Sequence, residues 1–577
     1  MPNYGSTMSG SGSLTKLGVG TVRITGSNGY SGGTTVSSGT VEVSAGGSGG
    51  GSAAGLGTGT VAVASGAQVT YWLSNTGSHT ISNAFSLSGG TLYTEDGANT
   101  FSGQVMLASG TSTISSRYED TITLSGGLTG SGNVLFTQAG GLGDGPTYVL
   151  SGTGSNTGTV RVSGSSNGRV TKLQVANINA LQSATLDMAA GDVGSVEFTV
   201  AGINTYSLGG LQGTRNLAVG GNSVSVGGNN QSTTYSGNLS ASGLFTKVGG
   251  GTLTLSGSNS ASGGVAVNAG TLALGSANAI GSTGTISFGG GALQFTASNT
   301  TDYSARFSNA ASQQYRIDTN GQNVTLASAL TSSGGSLTKN GPGNLILTAT
   351  SAFTGPTTVS AGRLSVNGAL GNTAVTVAGG AELGGSGSIV GGLAVLSGGT
   401  LSPGNSIASL AGGATSFAAG STFGYEVDSS LVGSLGTAAD LLVVSGNLDI
   451  ALGALLSLSD ITSGTVQPFV KDSTVFAMIN YSGSWNGGLF SYNGTPLADG
   501  GTFTVGSQQW QIDYNYVYNT ASPTTIRPLN FQGDYLPSTG TQTFVAITAV
   551  PEPATIAMAL AGLACGGYSV VRRRKRA

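Results

Sequence analysis

Leu14-Thr15-Lys16-Leu17-Gly18-Val19-Gly20-Thr21-Val22-Arg23-Ile24 decides the fold, because it comes back. Phe245-Thr246-Lys247-Val248-Gly249-Gly250-Gly251-Thr252-Leu253-Thr254-Leu255 is a second copy. Leu337-Thr338-Lys339-Asn340-Gly341-Pro342-Gly343-Asn344-Leu345-Ile346-Leu347 is a third. In each, glycines stand two and four places after the lysine, and another stands 23 places after it: Gly39, Gly270 and Gly362. The flanks agree as well: Val36–Val43, Val267–Leu274 and Val359–Val366 share a Val-x-x-Gly-x-apolar-x-apolar pattern. A degenerate copy is read over Leu135–Val162, with Gln138 in the lysine's place.

Val-x-Val and Leu-x-Leu pairs set two apolar side chains on one face of an extended segment. Glycine between such segments permits a sharp corner, including positive φ. Strand, corner and strand, at about 20 residues per circuit, describe a parallel β-helix. At about 4.8 Å per layer, some 400 residues would make a rod on the order of 90 Å long.

Composition supports strands over disorder. Glycine is 103 of 577 residues and charged residues are 7%, yet 38% are hydrophobic and fall in short alternating runs. Disordered chains combine low hydrophobicity with high net charge. The formal net charge is −3. Without the basic tail and Glu552, the rest holds 14 bases against 21 acids. No basic stripe lies outside the tail, so nucleic acid is not an expected partner.

The repeats resemble the autotransporter-associated β-strand repeat. Beside the Leu-Thr-Lys core, Asn28-Gly29-Tyr30-Ser31-Gly32-Gly33-Thr34 matches that family's middle element. Asn259–Gly264 lacks its aromatic, and Phe353 replaces it in the third copy. Leu401-Ser402-Pro403-Gly404-Asn405-Ser406-Ile407 is similar to a closing motif of such passengers. The resemblance implies a right-handed β-helical passenger over residues 1–413, with units near 12–43, 135–162, 244–274 and 337–366. The expected class is all-β, a right-handed parallel β-helix (solenoid) followed by a small β-rich C-terminal domain and one C-terminal transmembrane helix. Bulkier residues, among them Trp485 and Trp510, suggest a β-rich cap or sandwich over 417–518. Three prolines, Pro523, Pro528 and Pro537, and polar residues suggest an extended spacer over 519–549.

The end of the chain carries its own signature. Pro551-Glu552-Pro553 precedes an uncharged apolar run, Ala554–Val571, and then Arg572-Arg573-Arg574-Lys575-Arg576. As a helix, 18 residues span about 27 Å, enough for a hydrocarbon core. The cations would stay cytoplasmic. This arrangement over 550–577 resembles the PEP-CTERM sorting signal. The resemblance implies an exosortase-type membrane protease as partner, an inner-membrane anchor at 554–571 before processing, and then delivery to the cell surface or extracellular matrix. An autotransporter would instead end in a β-barrel. Met1–Gly10 lacks the basic region and apolar core of a signal peptide, so the sequence is expected to begin inside a longer protein.

No catalytic or metal-binding cluster is read, and no cofactor is expected. His79, the sole histidine, reads as a strand or surface residue. Gly46-Gly47-Ser48-Gly49-Gly50 reads as a loop rather than a nucleophile elbow. Gly140-Gly141-Leu142-Gly143-Asp144 lacks the spacing of a calcium repeat. Glu95-Asp96 and Glu119-Asp120 read as solvated turns. Cys565, the one cysteine, reads as an apolar tail residue. Lys16, Lys247 and Lys339 read as a solvated edge that discourages strand pairing, with a ladder for acidic polymer as the alternative. The chain is therefore expected to be a non-enzymatic exported spacer or adhesive. Its alternatives are a carbohydrate-binding adhesin using Tyr71, Trp72 and Tyr93 on extracellular polysaccharide, or a β-helical polysaccharide lyase or hydrolase.

Overall fold

A computed structural model describes residues 2–44, 52–73, 77–140, 145–164, 170–428, 438–461, 474–506, 508–519, 521, 525–530 and 541–550. Two compact units divide the chain, Met1–Asn299 and Thr300–Ala577. Each is an all-β parallel solenoid, where the sequence suggested a single body over 1–413.

In the first unit, one ladder stacks Leu14–Lys16, Thr34–Val36, Val61–Val63, Phe85–Ser88, Val105–Ser109 and Leu128–Gly130. A second stacks Thr21–Ile24, Thr40–Ser44, Gln68–Trp72, Thr91–Thr94, Thr111–Ser116, Asn133–Gln138 and Thr159–Val162. A third runs from Ser78–Ile81 through Ala98–Phe101, Thr121–Leu124, Thr147–Leu150 and Lys172–Val175 to Ser195–Phe198. All these pairings are parallel. The alternation read from sequence now has a direction. Val41, Val69, Leu92, Ile114, Phe136 and Val162 are successive register partners and all are buried. Each such side chain stabilises by roughly 1.5–3 kcal/mol when fully buried, and it does so against the layers on either side. Tyr71, Phe85 and Phe101 fill one stretch of this core edge-to-face, with centroids 5.5–6.4 Å apart.

The recurring lysines do not line a solvated edge. Lys16, Lys247 and Lys339 are 7%, 1% and 0% exposed. Lys247 Nζ donates to Val248 O (2.6 Å), Gly249 O (2.9 Å) and, in the next coil, Ala269 O (3.2 Å). Lys339 Nζ reaches Asn340 O, Gly341 O and Ala361 O at 2.7–3.0 Å. Lys16 Nζ does the same with Leu17 O, Gly18 O and Ser38 O. Three ammonium hydrogens meet three corner carbonyls, so a buried cation is satisfied and two coils are clamped together. Burial pushes Lys247 and Lys339 down to about 8. The glycine 23 places on sits where the clamp closes. Gly39 has φ +69°, and a Cβ there would stand 2.5 Å from Gly18 O and Gly20 O. No other residue fits that corner.

The position 12 places after each lysine stitches a second corner. Asn259 Oδ1 accepts from Leu239 N (2.7 Å) in the preceding coil, and its Nδ2 donates to Ala279 O (2.7 Å) in the next. Asn28 does likewise with Met8 N and Gly55 O. In the third copy Ser351 Oγ accepts from Leu330 N. The degenerate copy is out of phase: Asn133–Gln138 lies in the ladder of Thr21–Ile24, not that of Leu14–Lys16. Gln138 Nε2 donates backward, to Arg117 O.

The second unit stacks three ladders. One runs from Gln314–Asp318 and Ser336–Asn340 to Thr415–Phe417 and Leu448–Ile450. Another runs from Asn323–Leu326 through Gly362–Val366, Ala381–Gly385, Thr400–Pro403, Thr422–Val427 and Ala454–Asp460 to Phe490–Tyr492. The third ends at Leu441–Val444 and Val475–Tyr481. The expected start of a separate β-rich domain at 417 is corrected, since parallel coils continue through Phe490–Tyr492. The bulkier residues there, Phe417, Phe423 and Phe490, are inward, with centroids 5.3–5.8 Å apart.

Beyond Val475–Tyr481 the sheet turns antiparallel, in the order Val475–Tyr481, Thr541–Val550, Gln508–Asn519, Thr502–Val505. The expected spacer at 519–549 is corrected in its described parts. Thr541–Val550 is a strand bonded on both sides. Asn530 is buried, and its Nδ2 donates to Asp440 O and Ala477 O, both at 2.6 Å, while its Oδ1 accepts from Ala477 N. A polar stretch can thus be structural when its amide meets backbone groups that would otherwise be orphaned. No helix among the described residues is long and apolar enough to cross a membrane. The expected helix at 554–571, the motif at Pro551, Glu552 and Pro553, and the cations Arg572, Arg573, Arg574, Lys575 and Arg576 all lie outside the described residues.

Candidate functional site

The outward residues of the second ladder of the first unit converge at one corner. Gln68–Trp72 and Thr91–Thr94 pair in register with Tyr93 opposite Thr70. Strand alternation turns Tyr71 inward, fully buried, while Trp72 and Tyr93 stay partly exposed. Of the three aromatics expected to serve a surface, Tyr71 is thus a core residue, and its hydroxyl has no hydrogen-bond partner among the described residues.

The acidic pairs following these strands are not free solvated turns. Asp96 Oδ2 accepts from Trp72 Nε1 at 2.9 Å. Glu95 Oε1 accepts from Tyr93 OH at 3.2 Å, and its Oε2 pairs with Arg117 Nη1 at 3.4 Å. Asp120 Oδ1 accepts from Gly97 N in the preceding coil (3.0 Å), and its Oδ2 from Ser116 Oγ (2.9 Å). Burial pushes Asp120 up to about 6, against those two hydrogen bonds. Arg117 also lies 5.1 Å over the Tyr118 ring. The indole, the two phenols, the guanidinium and the carboxylates therefore share one corner and are oriented by each other. Sequence reasoning missed Arg117 and Tyr118, although the run Arg117-Tyr118-Glu119-Asp120 sets them beside an acidic pair.

Such a corner offers ring faces for sugar C–H groups and carboxylate acceptors for hydroxyls. It contains no assembled nucleophile and base. His79 sits in Ser78–Ile81 opposite Asn99, and its Nε2 has no hydrogen-bond partner among the described residues. No group of three or more acidic, His or Cys side chains among the described residues could hold a metal ion. Gly46–Gly50, Leu142–Asp144 and Cys565 lie outside the described residues.

Three windows of the chain, residues 14–43, 245–274 and 337–366, match the model of the passenger-associated-transport-repeat family. They coincide with the three good copies read from sequence, so the chain carries autotransporter-associated β-strand repeats. The chain is also similar to a curated protein named adhesin BmaC autotransporter, from Brucella suis biovar 1 (strain 1330). Identity is 31% over 175 residues, which is 29% of this chain and 5% of that relative. The matched stretch spans a small part of the relative's length.

Proposed function

We propose that the protein is an exported surface or matrix protein, a non-enzymatic right-handed β-solenoid that serves as spacer and adhesive. The repeat copies with their lysine clamps are the observation that carries this reading. They join coil to coil within each unit, and the copies match a passenger-associated repeat family. Similarity to a protein named an adhesin supports the adhesive part. In this reading an exosortase-type protease recognises Pro551-Glu552-Pro553, while 554–571 and the following cations hold the chain in the inner membrane until processing. The strand Thr541–Val550 ends immediately before the motif. A cut there would leave the antiparallel cap whole.

Mass spectrometry of the mature C-terminus, in cells with and without the processing enzyme, tests the sorting. Loss of residues 554–577 only when the enzyme is present is the expected result. Retention of that tail in both would overturn it. The carbohydrate-binding version is favoured by the Trp72–Tyr93 corner. Retention of the protein on extracellular polysaccharide should then drop in Trp72→Ala.

A further inference from the structure

A second concave surface lies in the Thr300–Ala577 unit, on the ladder that holds Gly362–Val366 and Thr400–Pro403. Its floor is a column of outward positions. Ile346, Ser365, Gly384 and Ser402 are successive register partners; Ile346 and Ser402 line the cleft, while Ser365 and Gly384 between them are buried. Arg363 folds over Gly384; a Cβ at 384 would collide with its guanidinium. Asn344 and Arg363 form one wall. The loop after Pro403 and Glu426 form the other, the loop lifted by Gly404 at φ +84°. The cleft encloses about 430 Å³, within the range of small-molecule sites.

Its polar groups are placed but not used up. Arg363 donates to Ser365 Oγ, to Glu382 and to Gly404 O. Of the five hydrogens on a guanidinium, two are left. Asn405 Nδ2 donates to Asn367 Oδ1, which leaves its own Oδ1 to accept. Asn344 Oδ1 accepts from Ser365 Oγ, which leaves its amide hydrogens to donate. Among the described residues no hydrogen bond is made by the side chains of Glu426 or Ser402. Ile346 and Pro403 add apolar surface beside them.

We propose that this cleft binds a neutral sugar unit of a polysaccharide, its hydroxyls bridging Arg363, Asn405 and Glu426 and its C–H face lying on Ile346 and Pro403. A hydroxyl both donates and accepts, which suits a wall where unspent donors and acceptors alternate. Glu382 and Glu426 outnumber Arg363, so a uronate carboxylate is disfavoured. The site is separate from the Trp72 corner and does not rest on the sorting reading.

The test is titration of the full chain with neutral hexasaccharides (glucan, mannan and galactan) and with a galacturonate hexamer. Variants Ser402→Tyr, which fills the floor, and Glu426→Gln, which keeps the shape, are compared with Val390→Ala on an exposed turn outside the cleft. Thermal unfolding verifies folding of each. The expected result is binding of one neutral hexamer, weakened about tenfold or more in both cleft variants and unchanged in Val390→Ala. Three outcomes would overturn the cleft: binding of no neutral sugar, preference for the galacturonate, or unaltered binding in Glu426→Gln. Binding lost in Trp72→Ala but kept in both cleft variants would overturn it while leaving the adhesive reading intact.

Discussion

Gly362 makes room for Lys339: a Cβ at position 362 would stand 2.9 Å from the lysine Nζ. The two residues belong to successive coils and are one device. The ammonium needs three carbonyls turned toward it, Ala361 O among them. The corner can turn that carbonyl only with positive φ at the next residue, where Gly362 has +64°.

Removing the cation leaves corner carbonyls buried without donors. Lys247→Met and Lys339→Met should each destabilise by about 3 kcal/mol, the scale for losing charge-assisted bonds at a buried site. Denaturant midpoints check this. Lys247→Arg should not rescue, since a planar fork does not fit three carbonyls arranged for an ammonium. Gly270→Ala, with φ +60° and backbone oxygens of Gly249 and Gly251 in its way, should be comparably damaging.

The repeat period, the strand alternation and the glycine spacing were all legible, because each is a steric requirement that recurs at fixed offsets. The direction of Lys16, Lys247 and Lys339 was not. Hydropathy assigns lysine to water, and only the count of carbonyls at the corner shows that water is unnecessary. The same blindness misplaced the end of the solenoid. Bulkier residues such as Trp485 and Trp510 suggested a new domain from residue 417, yet Phe417, Phe423 and Phe490 are larger inward residues on unchanged ladders. Trp72 and Tyr93 were found as surface aromatics, while Tyr71 was not separable from them without strand register.

Tyr71 offers a stabilising change. Its hydroxyl is buried with no partner among the described residues, so Tyr71→Phe removes a desolvated polar group and keeps the ring contacts with Phe85 and Phe101. A gain of about 1 kcal/mol is expected, read as a higher unfolding midpoint.

Asp440 gives the second unit a pH dependence. Its carboxylate accepts from Ala408 N (3.0 Å) and Glu426 N (3.1 Å), but burial dominates and pushes it up to about 8. A folded value above the unfolded one means stability fully present below about pH 4 and lost as pH rises through 8. Unfolding midpoints of the second unit's transition should fall over that window. Asp440→Asn should flatten the dependence, at some cost at every pH, because an amide cannot accept both N–H groups.

The corner at Trp72 should respond to charge as well as shape. Arg117→Ala removes the partner of Glu95 and the cation above Tyr118. Stability should barely change, as for exposed pairs, while retention on polysaccharide should fall if the corner binds it. Equal retention by Trp72→Ala, Arg117→Ala and the parent would count against a binding role.

Thr541–Val550 has a mechanical meaning. It lies hydrogen-bonded between Val475–Tyr481 and Gln508–Asn519. Tension arriving from beyond Val550 runs along that strand and meets two rows of bonds loaded together in shear, rather than a single row opened one bond at a time. A body tugged by flow from that end would resist at its strongest geometry.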